Sequence, residues 1–399
     1  MQDYKKVMKL RIAFVTDEFI SEKPNSGGLG NYLNRITQTL KDLGHEPEVF
    51  VIGQPNPAAI NFHGIRVERV APANSRWLHI LKKLQHRFLP SPWGGPAGYL
   101  SFSLALAEAF KRRHQEAPFH FVQSANCSAA GLFLPSYANC PHLIRLSSKR
   151  SLWFQADGRF HQQGAKAMAW LERAALRKAD IAYAPSAFVA KSCQGTWRDD
   201  VNVLRPPVFI ETQADGLVPD GLPQRYLIHF GQIGPRKGSD LVAKALCQVW
   251  QQEPSLKMIW AGRVITPGDF EGCHQLWGEK SAHVIWLGAL RKERLYTLLQ
   301  GAIAAVLPSR VDNLPNTVVE SLMLNIPVIG SQGASIDELV EPGLNGDLVP
   351  IGDIDALAEA MLRAWRMGST YIQPFVPPTL FKELDPKQAA LNLIHLAGY

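Results

Sequence analysis

Short apolar segments recur along the whole chain, each separated from the next by a helical pattern or a cluster of turn residues. This alternation restricts the fold more than any other feature, because strands without polar alternation are buried on both faces and need helices above and below them. Residues Arg11 to Val15 and Glu48 to Gly53 read as two such strands, and Tyr32 to Leu43 between them repeats at helical spacing, with Gly44 placed to end the helix. Further strands are expected at Phe119 to Gln123, His142 to Leu146 and Ile181 to Ala184. A second series opens at Tyr226 to Gly231 and continues at Lys257 to Ala261, Val284 to Gly288, Ala304 to Pro308 and Pro327 to Gly330. Between the series, Arg205-Pro206-Pro207, Gln213 to Gly216 and Pro219 to Pro223 are rich in turn residues, which puts a hinge near Pro206 to Gly221. The expectation is an α/β chain of two Rossmann-like domains, residues 1–208 and 209–370, whose parallel sheets face each other across an interdomain cleft where ligands bind. A tail, 371–399, holds Pro374, Pro377 and Pro378, reads as irregular beyond Met367, and ends in a helix near Pro386 to Leu396.

Composition agrees with two cores. A chain of 399 residues, 46% of them hydrophobic, exceeds what one core ordinarily organises. No apolar run reaches the ~20 residues of a spanning helix, and the first residues lead into a strand rather than a signal sequence, so a cytoplasmic protein is expected. Five scattered cysteines, Cys127, Cys140, Cys193, Cys247 and Cys273, have neither disulfide nor zinc spacing and read as reduced thiols. Charge is uneven: residues 1–210 carry 27 Lys+Arg against 15 Asp+Glu, and residues 211–399 carry 15 against 20. No recognition helix or base-stacking aromatic motif accompanies the basic half, so no nucleic-acid partner is expected; an anionic lipid surface or a phosphorylated acceptor fits better.

The densest chemistry lies at Asp312-Asn313-Leu314-Pro315-Asn316-Thr317-Val318-Val319-Glu320, which sets two acids on either side of a loop-to-helix junction. Pro315 lets a helix begin near Asn316, so the backbone N–H groups of Asn316 and Thr317 face forward and suit a diphosphate. Glu320, about a turn inside, is placed to accept from vicinal hydroxyls such as those of a ribose, with Asp312 at the opposite end of the same ligand. This run, with Pro327-Val328-Ile329-Gly330-Ser331, Glu338-Leu339-Val340, Gly343 and Asn345-Gly346, resembles the GT4-type GT-B retaining glycosyltransferases, the group 1 glycosyl transferases. Ser26-Gly27-Gly28-Leu29-Gly30-Asn31-Tyr32 resembles the glycine loop of that family, which closes over donor and acceptor. Gln232-Ile233-Gly234-Pro235-Arg236-Lys237-Gly238 is similar to its diphosphate loop, with Lys237 at the position of the diphosphate lysine. Gln232 stands where the family has arginine, and Arg236 where it has an acid; Ser147, after Pro141 to Leu146, stands where it has a histidine directed at the donor sugar.

The resemblance implies a hexosyltransferase that transfers with retention from a nucleotide diphosphate sugar of UDP, GDP or ADP type to a sugar or lipid-linked acceptor, in polysaccharide or glycolipid assembly. Catalytic roles fall to Lys237, Asp312 and Ser147; donor binding falls to Gly28, Gly30, Gln232, Arg236, Lys237, Asp312, Asn313, Leu314, Pro315, Asn316, Thr317 and Glu320. The donor would sit on the second domain, the acceptor on the first, and the last helix would return to the first domain. No cofactor and no metal are expected: Asp353-Ile354-Asp355 looks like a metal motif but precedes a helical pattern, where an aspartate caps N–H groups. Arg76 to Leu89 sets Trp77, Leu81, Leu84 and Phe88 at helical spacing beside Lys82, Lys83, His86 and Arg87, which fits either a core helix or a peripheral contact with an anionic membrane on its inner face. Two other readings share the architecture: a sugar-nucleotide 2-epimerase, and a non-catalytic sugar-nucleotide-binding protein favoured by Gln232 and Ser147.

Overall fold

The computed structural model describes residues 8–22, 27–53, 58–73, 80, 83, 95–147, 149–156, 165–210, 212–217, 221–264, 266–375 and 378–399. The segment Arg76 to Leu89, read as a core or membrane-surface helix, lies outside them except for Ile80 and Lys83, as does Ser26 of the glycine loop. The chain divides into two compact units: residues 1–151, 159–208 and 383–399 form unit 1, and residues 152–158 and 209–382 form unit 2.

Unit 1 is built on eight strands: β1 (Arg11–Thr16), β2 (Glu46–Ile52), β3 (Ile60–Phe62), β4 (Ile65–Val70), β5 (Phe121–Ala125), β6 (His142–Arg145), β7 (Ile181–Ala184) and β8 (Val201–Val203). Their order is β3-β4-β2-β1-β5-β6-β7-β8, and every neighbouring pair is parallel except β3 with β4. Helices α1 (Gly28–Asp42), α2 (Gly95–Glu116), α3 (Arg150–Ala156), α4 (Ala165–Lys178) and α5 (Ala187–Cys193) fall between the strands, α3 running on into unit 2. The strands lack polar alternation because both faces are covered. On β1, Ile12 and Phe14 join one core with Leu33, Ile36 and Leu40 of α1, while Ala13 and Val15 join another with Leu106 and Phe110 of α2. Burying one such large apolar side chain contributes about 1.5–3 kcal/mol.

Unit 2 has six parallel strands, β9 (Leu227–Phe230), β10 (Met258–Ala261), β11 (Val284–Trp286), β12 (Ala305–Leu307), β13 (Val328–Gln332) and β14 (Gly346–Pro350), in the order β11-β10-β9-β12-β13-β14. Its helices are α6 (Ser239–Gln252), α7 (Asp269–Trp277), α8 (Lys292–Gln300), α9 (Asn316–Met323) and α10 (Ile354–Met367). Leu241, Val242, Leu246 and Val249 of α6 pack with Leu357, Met361 and Ala364 of α10 around the fully buried Trp260.

Beyond Met367 the prolines read as a break, yet a 3-10 turn at Gly368–Thr370 and a helix, α11 (Pro378–Leu384), stand there. The last helix, α12 (Pro386–Leu396), begins at the cap Asp385, and its Ala390, Leu393 and Ile394 pack into the α1 side of the unit 1 core.

Candidate functional site

The sequence folds into a helix start with forward-facing backbone amides at α9. Pro315 takes the N-cap with φ −73, and its carbonyl accepts from Val318 N at 3.0 Å and Val319 N at 3.2 Å. The N–H groups of Asn316 and Thr317 therefore lie ahead of the first intrahelical bonds, where the helix dipole favours an anion. Leu314, just before the cap, is buried and anchors the loop. One turn inside, Glu320 is 7% exposed; Tyr296 O–H donates to its Oε1 at 3.4 Å and Lys292 Nζ stands 3.6 Å from it, both from α8.

A glycine-lined loop after β9 lies directly against this helix start. Gly231 has φ +110, and a Cβ there would stand 3.1 Å from Thr317 Cγ2. Gly238 has φ +74, and its Cβ would come within 2.1 Å of the Pro308 carbonyl oxygen, so no other residue fits. Between them the 3-10 turn Pro235–Lys237 points Lys237 Nζ onto Asp312 Oδ2 in a direct ion pair. Asp312 is 8% exposed; its Oδ1 accepts from Asn313 N at 3.0 Å and its carbonyl from Ser335 Oγ at 3.2 Å. Gln232 Oε1 accepts from the Arg236 guanidinium, so the residue at the family's arginine position is tied to the arginine further along the loop. Lys237, Asp312, Asn313 and the Asn316–Thr317 amides are thus assembled in unit 2, with Glu320 in the same helix.

Two features carry this geometry without having stood out in the sequence. His229 on β9 is buried: its Nδ1 lies 2.7 Å from Val306 O and its Nε2 2.9 Å from Ser239 Oγ, which accepts from Gly234 N at 3.0 Å. Burial pushes the imidazole down to about 4, so it is neutral at pH 7 and pins the loop as a donor to the carbonyl and an acceptor from the hydroxyl. Arg310 grips Asp240 through two bonds of 2.6 and 2.7 Å, and its N–H donates to Arg236 O at 2.9 Å, holding the turn that carries Lys237. A single sequence gives no pairing signal for contacts this far apart in the chain; Lys292 and Tyr296, spaced one turn apart on α8, are the only hint of a shared face.

Gly28, Gly30 and Ser147 belong to unit 1. Gly28 and Gly30 form the first turn of α1, behind the N-cap Gly27, whose N–H donates to Glu18 Oε1 at 2.8 Å. Ser147 follows β6, is buried, accepts from an Arg145 terminal nitrogen at 2.6 Å and donates its N–H to Asn126 Oδ1 at 2.7 Å. His142 does not replace the histidine missing there: it opens β6, its Nε2 lies 2.8 Å from Ser124 Oγ, and burial pushes it down to about 4. Asp353 caps α10 by accepting from Ala356 N at 2.9 Å, and Asp355 accepts from Gln248 Nε2 at 2.7 Å. Among the described residues no three His, Cys, Asp or Glu side chains gather as a metal site, and no helix is long and apolar enough to cross a membrane. All five cysteines are free thiols.

Two α/β units, each on a mainly parallel sheet and one with an anion-favouring helix start beside a lysine loop, define the GT-B fold. Residues 27–207 match the glycosyl transferase 4-like domain and residues 224–367 match the glycosyl transferases group 1 family. The chain belongs to the GT4-type group 1 glycosyltransferases. It is 25% identical over 173 residues to a lipopolysaccharide core biosynthesis mannosyltransferase of Rhizobium leguminosarum bv. viciae, covering 41% of this chain and 46% of that protein. The chain therefore spans about half the length of the curated relatives it matches. Among solved structures it is similar to sucrose-phosphate synthase from Thermosynechococcus elongatus, with a TM-score of 0.68, 18% identity and coverage of 98% and 96% of the two chains. Anabaena HepE in complex with UDP and glucose gives a TM-score of 0.66 at 17% identity, over 98% and 99%.

Proposed function

We propose that this chain is a retaining hexosyltransferase that uses a nucleotide diphosphate sugar of UDP, GDP or ADP type and a glycan or glycolipid acceptor, without a metal ion. The observation that carries the reading is the Lys237–Asp312 pair set beside the start of α9, with Glu320 one turn inside. Glu320 takes the ribose hydroxyls; Lys237, Arg236 and the Asn316–Thr317 amides take the diphosphate; Asp312 and the backbone of residues 313–316 take the sugar. The fixed cation and the helix start meet the negative charge that develops on the leaving diphosphate, the task a metal performs elsewhere. In the transfer the bond from sugar C1 to the diphosphate oxygen breaks, C1 bonds to the acceptor hydroxyl on the same face, and the hydroxyl proton passes to the departing diphosphate. Polysaccharide or glycolipid assembly is supported by likeness to the lipopolysaccharide core mannosyltransferase, and a UDP-type donor by likeness to the Anabaena structure. The surplus of cations in residues 1–210 favours an anionic acceptor, held in the cytoplasm or at the inner face of a membrane.

The test is turnover of UDP-, GDP- and ADP-hexoses with chelator present, followed by NMR of the new anomeric proton. Transfer with the donor's configuration is expected, at a rate independent of chelation. Inverted product removes the retaining mechanism, loss of transfer on chelation removes metal independence, and tight nucleotide binding with no transfer or donor hydrolysis points instead to a sugar-nucleotide-binding protein.

A further inference from the structure

The loop that carries Lys237 has Gln232 where the family has arginine, and its own arginine further along, at Arg236. The two side chains are joined: the Arg236 guanidinium donates to Gln232 Oε1, which brings the cation back towards the position that the glutamine occupies. A second contact fixes the face of that guanidinium. Trp153 lies in the part of α3 that belongs to unit 2, and Arg236 Cζ stands 4.2 Å from the centre of its ring. The Trp153 indole N–H is enclosed and meets no acceptor among the described residues, so this side chain offers its ring and not a hydrogen bond. An aromatic face holds a guanidinium without neutralising it, whereas a carboxylate would cancel the charge. Stacking also engages the flat face of the group and leaves its N–H edge to hydrogen bonds, such as the one to Gln232. The main chain is fixed separately, since Arg310 N donates to Arg236 O at 2.9 Å and Asp240 grips the Arg310 side chain. Backbone and side chain of Arg236 are therefore both held, and little rotamer freedom is left to lose when an anion binds.

We infer that Trp153 is the platform that sets the Arg236 guanidinium for a phosphoryl group of the donor diphosphate, in place of the arginine absent at position 232. Trp153 is a positioning residue: it acts through Arg236 and not by touching the ligand. The inference rests on the proposed donor site for the ligand's identity, and on the Trp153–Arg236 contact for the positioning itself.

The wild-type chain, Trp153→Leu, Trp153→Phe, Arg236→Gln and the double variant of Trp153→Leu with Arg236→Gln are titrated with UDP, GDP and ADP, and with uridine, guanosine and adenosine as uncharged counterparts. Trp153→Leu keeps apolar bulk and removes the ring face; it should weaken the preferred diphosphate about three- to thirtyfold, with the matching nucleoside unaffected. Trp153→Phe should lose less, and once Arg236→Gln is present Trp153→Leu should cost nothing further. Equal loss for diphosphate and nucleoside, as a merely structural role gives, overturns the inference. So do undiminished affinity and losses that add in the double variant, since Trp153 then acts independently of Arg236. Where Trp153→Leu fails to fold, Trp153→Phe decides: a loss selective for the diphosphate that vanishes with Arg236→Gln supports the platform, and any other result overturns it. No binding of any diphosphate by the wild type removes the proposed donor site, and the positioning is then read without ligand from the NMR signal of the Arg236 Nε–H, which the indole shifts upfield. Return of that signal to the ordinary arginine position in Trp153→Leu but not in Trp153→Phe supports the platform; a signal that Trp153→Leu leaves unmoved overturns it.

Discussion

Lys237 and Asp312 lie 75 residues apart in the chain and form a direct ion pair that ties the Pro235–Lys237 turn to the loop ahead of α9. Asp312 therefore orients the ammonium as well as lying beside the helix start, and the cation is fixed before any ligand arrives. Pre-set charge of this kind stabilises a transition state without reorganisation, and removing one such donor costs about 10²–10³-fold in kcat. Lys237→Ala should show a loss of that size in steady-state transfer, with partial recovery in Lys237→Arg. An unaltered kcat removes Lys237 from the chemistry.

Glu320 should be read out through the ribose. Two charge-assisted hydrogen bonds are worth roughly 3 kcal/mol, or about 100-fold in affinity. The wild type should therefore bind a ribonucleoside diphosphate well ahead of its 2′-deoxy analogue, and Glu320→Ala should bind both weakly and alike. Calorimetry decides; undiminished discrimination in the variant assigns the ribose to another residue. Lys292, 3.6 Å from Glu320, keeps the carboxylate from being an isolated buried charge.

Much of this site is legible in the sequence because its parts are local. Pro315 announces the start of α9, Gly44 the end of α1, and Asp353 the cap of α10, each through backbone chemistry that acts within a few residues. Strands such as Ile181–Ala184 stand out by their apolar runs. Helix α2 does not, since its 22 residues bury small Ala, Ser and Gly side chains and show little contrast between faces. Long-range pairings are silent in one sequence: nothing in His229 announces Val306 and Ser239.

Two buried histidines predict how stability depends on pH. His142 in unit 1 and His229 in unit 2 both fall from 6.5 to about 4 on burial. Between those values the unfolded chain binds a proton that the folded chain refuses, so stability present above pH 6.5 is lost as pH falls towards 4. The loss near pH 5 is about 2 kcal/mol for each group. Urea unfolding across this range should show the slope, and His229→Gln should be less stable at pH 7 yet flatter towards acid. An equal slope in the variant would mean that another group titrates.

The last prediction concerns the ion cluster that braces unit 1. Arg113 meets Glu48 through two bonds, Nε to Oε1 at 2.9 Å and a terminal nitrogen to Oε2 at 3.1 Å, and its Nε also stands 3.7 Å from Glu68. Both glutamates are buried, and the Glu48 contact drives the Arg113 guanidinium above its ordinary range. Arg11 and Arg66 approach Glu48 at 3.5 and 3.4 Å, so the acid would retain partial compensation if Arg113 were lost. Removing one partner of a buried pair costs about 3–5 kcal/mol, chiefly because the remaining charge is stranded. With Arg11 and Arg66 still present, Arg113→Met should fall at the lower end, about 3 kcal/mol. Combining it with Glu48→Gln should restore part of the loss, because the stranded charge is then gone. Urea unfolding of the two singles and the double measures the coupling; additive losses would show that the arginine acts through packing of its stem against the sheet and not through its charge.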